Sequence, residues 1–118
     1  MSTRCQVIVK DQYDEVWFYR HSDGYPEGAT PTLIQFMNLV KSGVLRNNAE
    51  QSSGWLVLIG AKEYGMSLDN IADWKVGAYE PCAPKRHGDI EFLYTLDLEK
   101  LTITVKDIYE QKSYNIPF

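Results

Sequence analysis

The chain has 118 residues, 44% hydrophobic and 13% aromatic, with 12 Lys and Arg against 16 Asp and Glu for a formal charge of −4; this is the size and composition of one domain whose core needs no metal or disulfide. Acids and bases are interspersed and the only basic pair is Lys85-Arg86, which excludes non-specific nucleic-acid binding and a nucleic-acid mimic alike. No run reaches bilayer length, Met1 to Cys5 carry no apolar signal, and Cys5 and Cys82 form neither a disulfide framework nor a paired zinc motif, so a cytoplasmic protein without membrane contact is expected.

Arg4 to Lys10 and Glu15 to His21 read as strands joined by the polar link Asp11 to Asp14. A tight hairpin would pair Val9 with Val16, Val7 with Phe18 and Cys5 with Arg20 on one face. The other face then carries Arg4, Gln6, Ile8, Lys10, Glu15, Trp17, Tyr19 and His21. Cys5 reads as a small core residue, and Cys82 as a loop thiol between two prolines; a catalytic thiol at either is the less favoured reading.

From Arg20 the chain enters turn chemistry, His21-Ser22-Asp23-Gly24-Tyr25-Pro26-Glu27-Gly28, because Asp bonds its own backbone and Gly accepts positive φ. Thr30-Pro31 then open a helix, with Thr as cap and Pro at the first position. Leu33, Phe36, Met37 and Val40 form its apolar stripe, and Gly43 stops it.

The polar stretch from Arg46 to Ser53 reads as a connection in which Asn47-Asn48-Ala49-Glu50 can open a helical segment. The apolar run Gly54 to Gly60 is read as a helix capped by Ser52 or Ser53 and continuing to Gly65, and Ser67 to Asp73 as one more helical turn. Trp74, Val76 and Ala78 alternate with Lys75, Gly77 and Tyr79, which predicts a strand ended by Pro81. The segment Glu80 to Gly88 is read as a loop stiffened by Pro81 and Pro84 that presents His87.

Asp89 to Leu96 and Leu101 to Asp107 predict a second hairpin, joined by Asp97-Leu98-Glu99-Lys100. Its expected pairs are Phe92 with Val105, Tyr94 with Ile103 and Leu96 with Leu101, and the tail from Tyr109 to Phe118 is expected to lie across the sheet. The elements together predict a single α+β domain over residues 1–118. Its antiparallel sheet, of about four to six strands, carries one or two helices packed on one face.

Two stretches carry a family resemblance. Met1-Ser2-Thr3-Arg4 with Trp17 to Gly28, and separately His87-Gly88-Asp89-Ile90-Glu91-Phe92-Leu93-Tyr94, resemble a family of small uncharacterised proteins of bacteriophages, prophages and plasmids. Members open on a similar Ser-Thr-Arg and place a His-x-Asp-Gly-Tyr-Pro segment before a helix. The resemblance covers both ends of the chain and leaves roughly residues 44 to 80 unmatched. It implies a mobile-element origin and brings no activity with it.

Both histidines stand beside an Asp and a Gly, in His21-Ser22-Asp23-Gly24 and His87-Gly88-Asp89, each at the end of a predicted strand. If they converge, Arg4, Tyr19, Arg20, His21, Asp23, Tyr25, His87, Asp89 and Glu91 compose a site for proton transfer or for a polar or anionic ligand. The alternative is that each His caps a turn. The first functional expectation is a binding module for a small polar or anionic ligand or for a host protein. The runner-up is a metal-dependent or acid/base hydrolase using His21, His87 and carboxylates from Asp23, Asp89 and Glu91, whose side chains suit Zn, Mn or Fe but lack a His-Glu-x-x-His motif. Phosphate-loop, dinucleotide-binding and Gly-x-Ser-x-Gly signatures are all missing from the sequence.

Overall fold

Side-chain alternation in the first hairpin decides which way the sheet faces. In the computed structural model, which describes residues 2–118, β1 (Cys5–Lys10) and β2 (Glu15–Arg20) pair antiparallel with Cys5 opposite Arg20, Val7 opposite Phe18 and Val9 opposite Val16. This is the register expected from the sequence. The face carrying Cys5, Val7, Val9 and Phe18 is buried, and it forms the floor of the core.

Four further strands complete a six-stranded sheet: β3 (Glu80–Cys82), β4 (Phe92–Asp97), β5 (Thr102–Asp107) and β6 (Lys112–Ile116), in the order β3-β2-β1-β4-β5-β6. Every neighbouring pair is antiparallel except β1 with β4, which run parallel and make the sheet mixed. The fold is α+β, as expected. The parallel pair was not legible in the sequence, because it depends on where the chain returns after the helices.

The helices lie on the core side. Helix α1 (Pro26–Lys41) buries Ala29, Thr32, Leu33, Phe36, Met37 and Val40. It begins earlier than the expected Thr30-Pro31 start: Pro26, with its fixed φ, takes the first helical position, and Pro31 sits inside the helix. Thr30 is therefore no cap, and its hydroxyl donates to the Pro26 carbonyl at 2.6 Å. After the short α2 (Ala49–Ser52), capped by the Asn48 side chain, α3 (Gly54–Glu63) packs on α1 and buries Leu56, Ile59 and Gly60. The apolar run from Gly54 is a helix, as expected, but without the expected serine cap: Ser53 makes no side-chain capping bond, and the Ser52 hydroxyl donates to the Arg46 carbonyl.

Two expectations fail in the second half. Trp74 to Tyr79 is not a strand: α4 (Ile71–Trp74) is a single helical turn, and Lys75, at φ 67, redirects the chain. The apparent alternation there has no neighbouring strand to pair with. It instead drops Ala78 and Tyr79 onto α3, where Gly60 leaves room for the Tyr79 ring; a Cβ at Gly60 would lie 2.5 Å from Tyr79 Cδ2. Pairing starts at Glu80, so part of the expected loop is β3. Its Pro81 is tolerated because β3 is an edge strand.

The second hairpin forms with its faces as expected but its register shifted: Phe92 faces Asp107, Tyr94 faces Val105 and Leu96 faces Ile103. The cause is the turn. Leu98 is fully buried and donates its N–H to the Lys10 carbonyl, Asp97 accepts from Glu99 and Lys100, and Leu101 closes the loop at φ 54. A slip of two residues leaves every side chain on its own face. The tail does not cross the sheet; it pairs with β5 as edge strand β6.

The Asp11 carboxylate joins the first hairpin to α2. It accepts from Tyr13 N at 2.8 Å, Asp14 N at 2.9 Å and, across the chain, Ala49 N at 2.8 Å. The Ala49 N–H, followed by those of Tyr13 and Asp14, holds the carboxyl below its usual range.

Two outcomes test this account. Leu33, wholly buried in α1, should cost roughly 2 to 5 kcal/mol as Leu33→Ala in denaturant unfolding. Asp11→Ala should cost about 1 kcal/mol near neutral pH, like the loss of a helix cap. Because the folded carboxyl titrates below the unfolded one, that contribution is present above the ordinary Asp range and fades as pH falls through the folded value. The two melting curves should therefore converge as pH falls below the ordinary Asp range.

Candidate functional site

The strand ends nearest the start of β1 form one corner of the sheet. Arg4 precedes β1, His21 follows β2, Glu80 opens β3, and the segment ahead of β4 is brought alongside by the parallel β1–β4 pairing. Period two then puts Arg4, Gln6, Tyr19, His21 and Glu80 on the face away from the helices; Tyr19 pairs with Gln6 on one side and Glu80 on the other.

Tyr19 is the centre of this corner. Its ring is flanked by the imidazole of His21, edge-on with centroids 4.6 Å apart, and by that of His87, tilted at 34° and also 4.6 Å away. The Tyr19 hydroxyl donates to Asp89 Oδ2 at 2.6 Å, and Arg4 Nε lies 3.5 Å from the same oxygen. Burial, then the hydrogen bond and charge of Asp89, push the Tyr19 hydroxyl well above its usual value, so it stays a donor. On the other flank His21 Nε2 sits 2.9 Å from Glu80 Oε1.

The loop that presents His87 is held by Gln6. This buried side chain donates from Nε2 to the Lys85 carbonyl at 2.9 Å and accepts from His87 N at Oε1, also at 2.9 Å. Tyr19 is buried, but the groups around it are open: the side chains of Arg4, His21 and Asp89 are 43%, 47% and 50% exposed. Chemically the corner offers two imidazoles, a cation and two carboxylates around a fixed phenol.

The expected site therefore divides. Arg4, Tyr19, His21, His87 and Asp89 come together. Arg20 and Asp23 do not join them, because Arg20 is on the helix side with Cys5 and Phe18. Its guanidinium, 1% exposed, meets Glu63 Oε1 at 3.0 Å and Oε2 at 3.2 Å, donates from Nε to the Ser22 carbonyl, and lies 4.9 Å over the Tyr79 ring. Tyr64 accepts from Arg20 and donates to Asp23 Oδ2 at 2.5 Å. These two candidates are structural. Tyr25 is the exposed residue before α1, and Glu91 contributes its backbone, donating to Arg4 O and accepting from Ile108 N.

Asp23 thus lies on the far side of the sheet from His21, and the expected metal ligands do not assemble. Among the described residues no three His, Cys, Asp or Glu side chains are arranged to hold a metal. Cys5 is buried, and burial pushes its thiol up to about 12, which removes it as a nucleophile. Cys82 is half-buried and accepts a weak hydrogen bond from Gln6. Glu80 and Gln6 were missed by sequence reasoning. Gln6 was legible as the strand neighbour of Tyr19, whereas Glu80 required β3 in place of a loop.

The chain matches no known protein family, no curated protein and no solved structure. Among the described residues, no helix is long and apolar enough to cross a membrane.

Removing the partner of the buried guanidinium separates the two halves of the former site. Glu63→Ala should lower stability by about 3 kcal/mol in chemical denaturation, since it strands a charge in the interior. The Tyr19–His21–His87 corner should keep its chemical shifts in that variant below the unfolding transition. Loss of the corner signals with the protein still folded would show that the clusters are one unit.

Proposed function

We propose that the protein is a binding module that recognises a polar or anionic group, on a small ligand or on a host protein, through the corner built on Tyr19. The observation that carries this reading is the placement of His21 and His87 on the two sides of one buried phenol, each half open to solvent. Tyr19 restrains both rings, so little side-chain entropy is lost when a partner docks. Arg4 adds a cation at the rim, Asp89 fixes the Tyr19 hydroxyl, and Glu80 sets a carboxylate beside His21 without closing the surface. A mobile-element origin, implied by the family resemblance, makes a host protein the natural partner class.

The runner-up, acid/base hydrolysis, is favoured by one contact. His21 Nε2 against Glu80 Oε1 at 2.9 Å has the spacing of a base and its orienting carboxylate. It now rests on Glu80 in place of Asp23.

His21→Ala and His87→Ala test the proposal. Imidazole resonances of the parent should shift on titration with inorganic phosphate, and material captured from host lysate should be lost by both variants. Stability should fall by no more than about 1 kcal/mol, the scale of one hydrogen bond. Destabilisation of both variants with capture and phosphate response undiminished would overturn the reading and leave the histidines as turn caps. Turnover of a generic ester substrate that disappears in Glu80→Gln would move the assignment to hydrolysis.

A further inference from the structure

The other unusual surface is built on α3 and lined by no histidine. Helix α3 is apolar nearly all round: Leu56 and Ile59 enter the core, while Leu58 on the outer face is half exposed. A helix greasy on both faces ordinarily has cover on both. Here the outer face meets the segment from Met66 to Gly77, which exposes Leu68 (87%), Ile71 (60%) and Val76 (53%) and sets Trp74 beside them.

Between them runs a groove of about 500 Å³. That is the size of a small-molecule site, typically about 300 to 1,000 Å³. Its lining is aliphatic and aromatic apart from Ser67 and one charged residue, Lys75, the residue that redirects the chain after α4. Among the described residues the Lys75 ammonium joins no ion pair. The groove shares Met66, Trp74, Val76 and Gly77 with a smaller hollow of about 110 Å³ that reaches Ser22 and Tyr64.

We propose that this groove binds a small amphipathic monoanion, its aliphatic or aromatic body against Leu58, Ile71 and Trp74 and its carboxylate or sulfonate at Lys75. The charge pattern selects this occupant. A lysine at an apolar rim lays its stem on the greasy surface and keeps its ammonium in water, where an anion head can meet it. A second copy packed groove to groove would bring two Lys75 ammoniums together, and no Asp or Glu lines the groove to neutralise them. The site is independent of the Tyr19 corner.

Calorimetric titration of the full chain with decanoate, below its micelle concentration, tests the assignment, with decyl maltoside and decyltrimethylammonium as uncharged and cationic controls. Decanoate should bind at one site, perturb tryptophan fluorescence and exceed both controls in affinity. Lys75→Gln should weaken it roughly two- to fivefold, the scale of an exposed ion pair, and Lys75→Arg should restore it. Ile71→Ser, at an exposed position, should abolish binding with an unchanged melting temperature. Equal affinity for all three amphiphiles, or decanoate binding indifferent to both Lys75→Gln and Ile71→Ser, would overturn the proposal. So would a concentration-dependent dimer in sedimentation that Ile71→Ser disperses and that excludes decanoate.

Discussion

One buried guanidinium ties the sheet to its helical layer. Arg20 ends β2 on the core side, and an unpaired charge there would be far too costly to keep. The fold answers with carboxylate oxygens from the end of α3, the Ser22 carbonyl from the following turn, the Tyr64 hydroxyl and the Tyr79 ring. Three separate segments, the turn at Ser22, the end of α3 and the stretch carrying Tyr79, must therefore be in place before the charge is satisfied. Such a constraint specifies an arrangement more than it adds net stability, since apolar residues of the same volume can be as favourable. The close fit of the turn onto β1 belongs to the same corner: Gly24 donates to the Thr3 carbonyl, accepts from Tyr94, and leaves no room for a Cβ against Cys5.

The open corner on the other face depends on this pin without sharing its atoms. Arg20 and His21 are neighbours in sequence, so period two sends one inward and the other outward. Fixing the first sets the position from which the second leaves the strand. The partner elements arrive by different routes: Glu80 by the edge strand, Asp89 and His87 by the return to a strand parallel with β1. Residues far apart in sequence are thus gathered around Tyr19 by sheet order alone.

The two surfaces have different chemical characters. The Tyr19 corner presents polar groups around a fixed phenol, and the groove between α3 and its facing segment presents apolar surface with Lys75 at its rim. The first suits recognition by hydrogen bonds and charge; the second suits burial of a greasy body. They draw on different elements and can act separately.

Much of this was legible in the residues. Alternation in Cys5 to Lys10 and Glu15 to Arg20 determined the first hairpin, its register and the shared face of Arg4, Tyr19 and His21, because a hairpin is a local object. The 3.6-residue spacing of Leu33, Phe36, Met37 and Val40 likewise determined which side of α1 is core. The convergence of His21 and His87 was readable only as a condition, both lying at strand ends. What the tertiary structure alone decided was non-local: the parallel β1–β4 pairing, the strand at Glu80 that supplies a missed carboxylate, and the turn around buried Leu98 that moved the second hairpin by two residues. It also decided that Arg20 and Asp23 serve the interior, since local sequence names a charge but not the carboxylate, hydroxyl or ring that arrives from elsewhere to satisfy it.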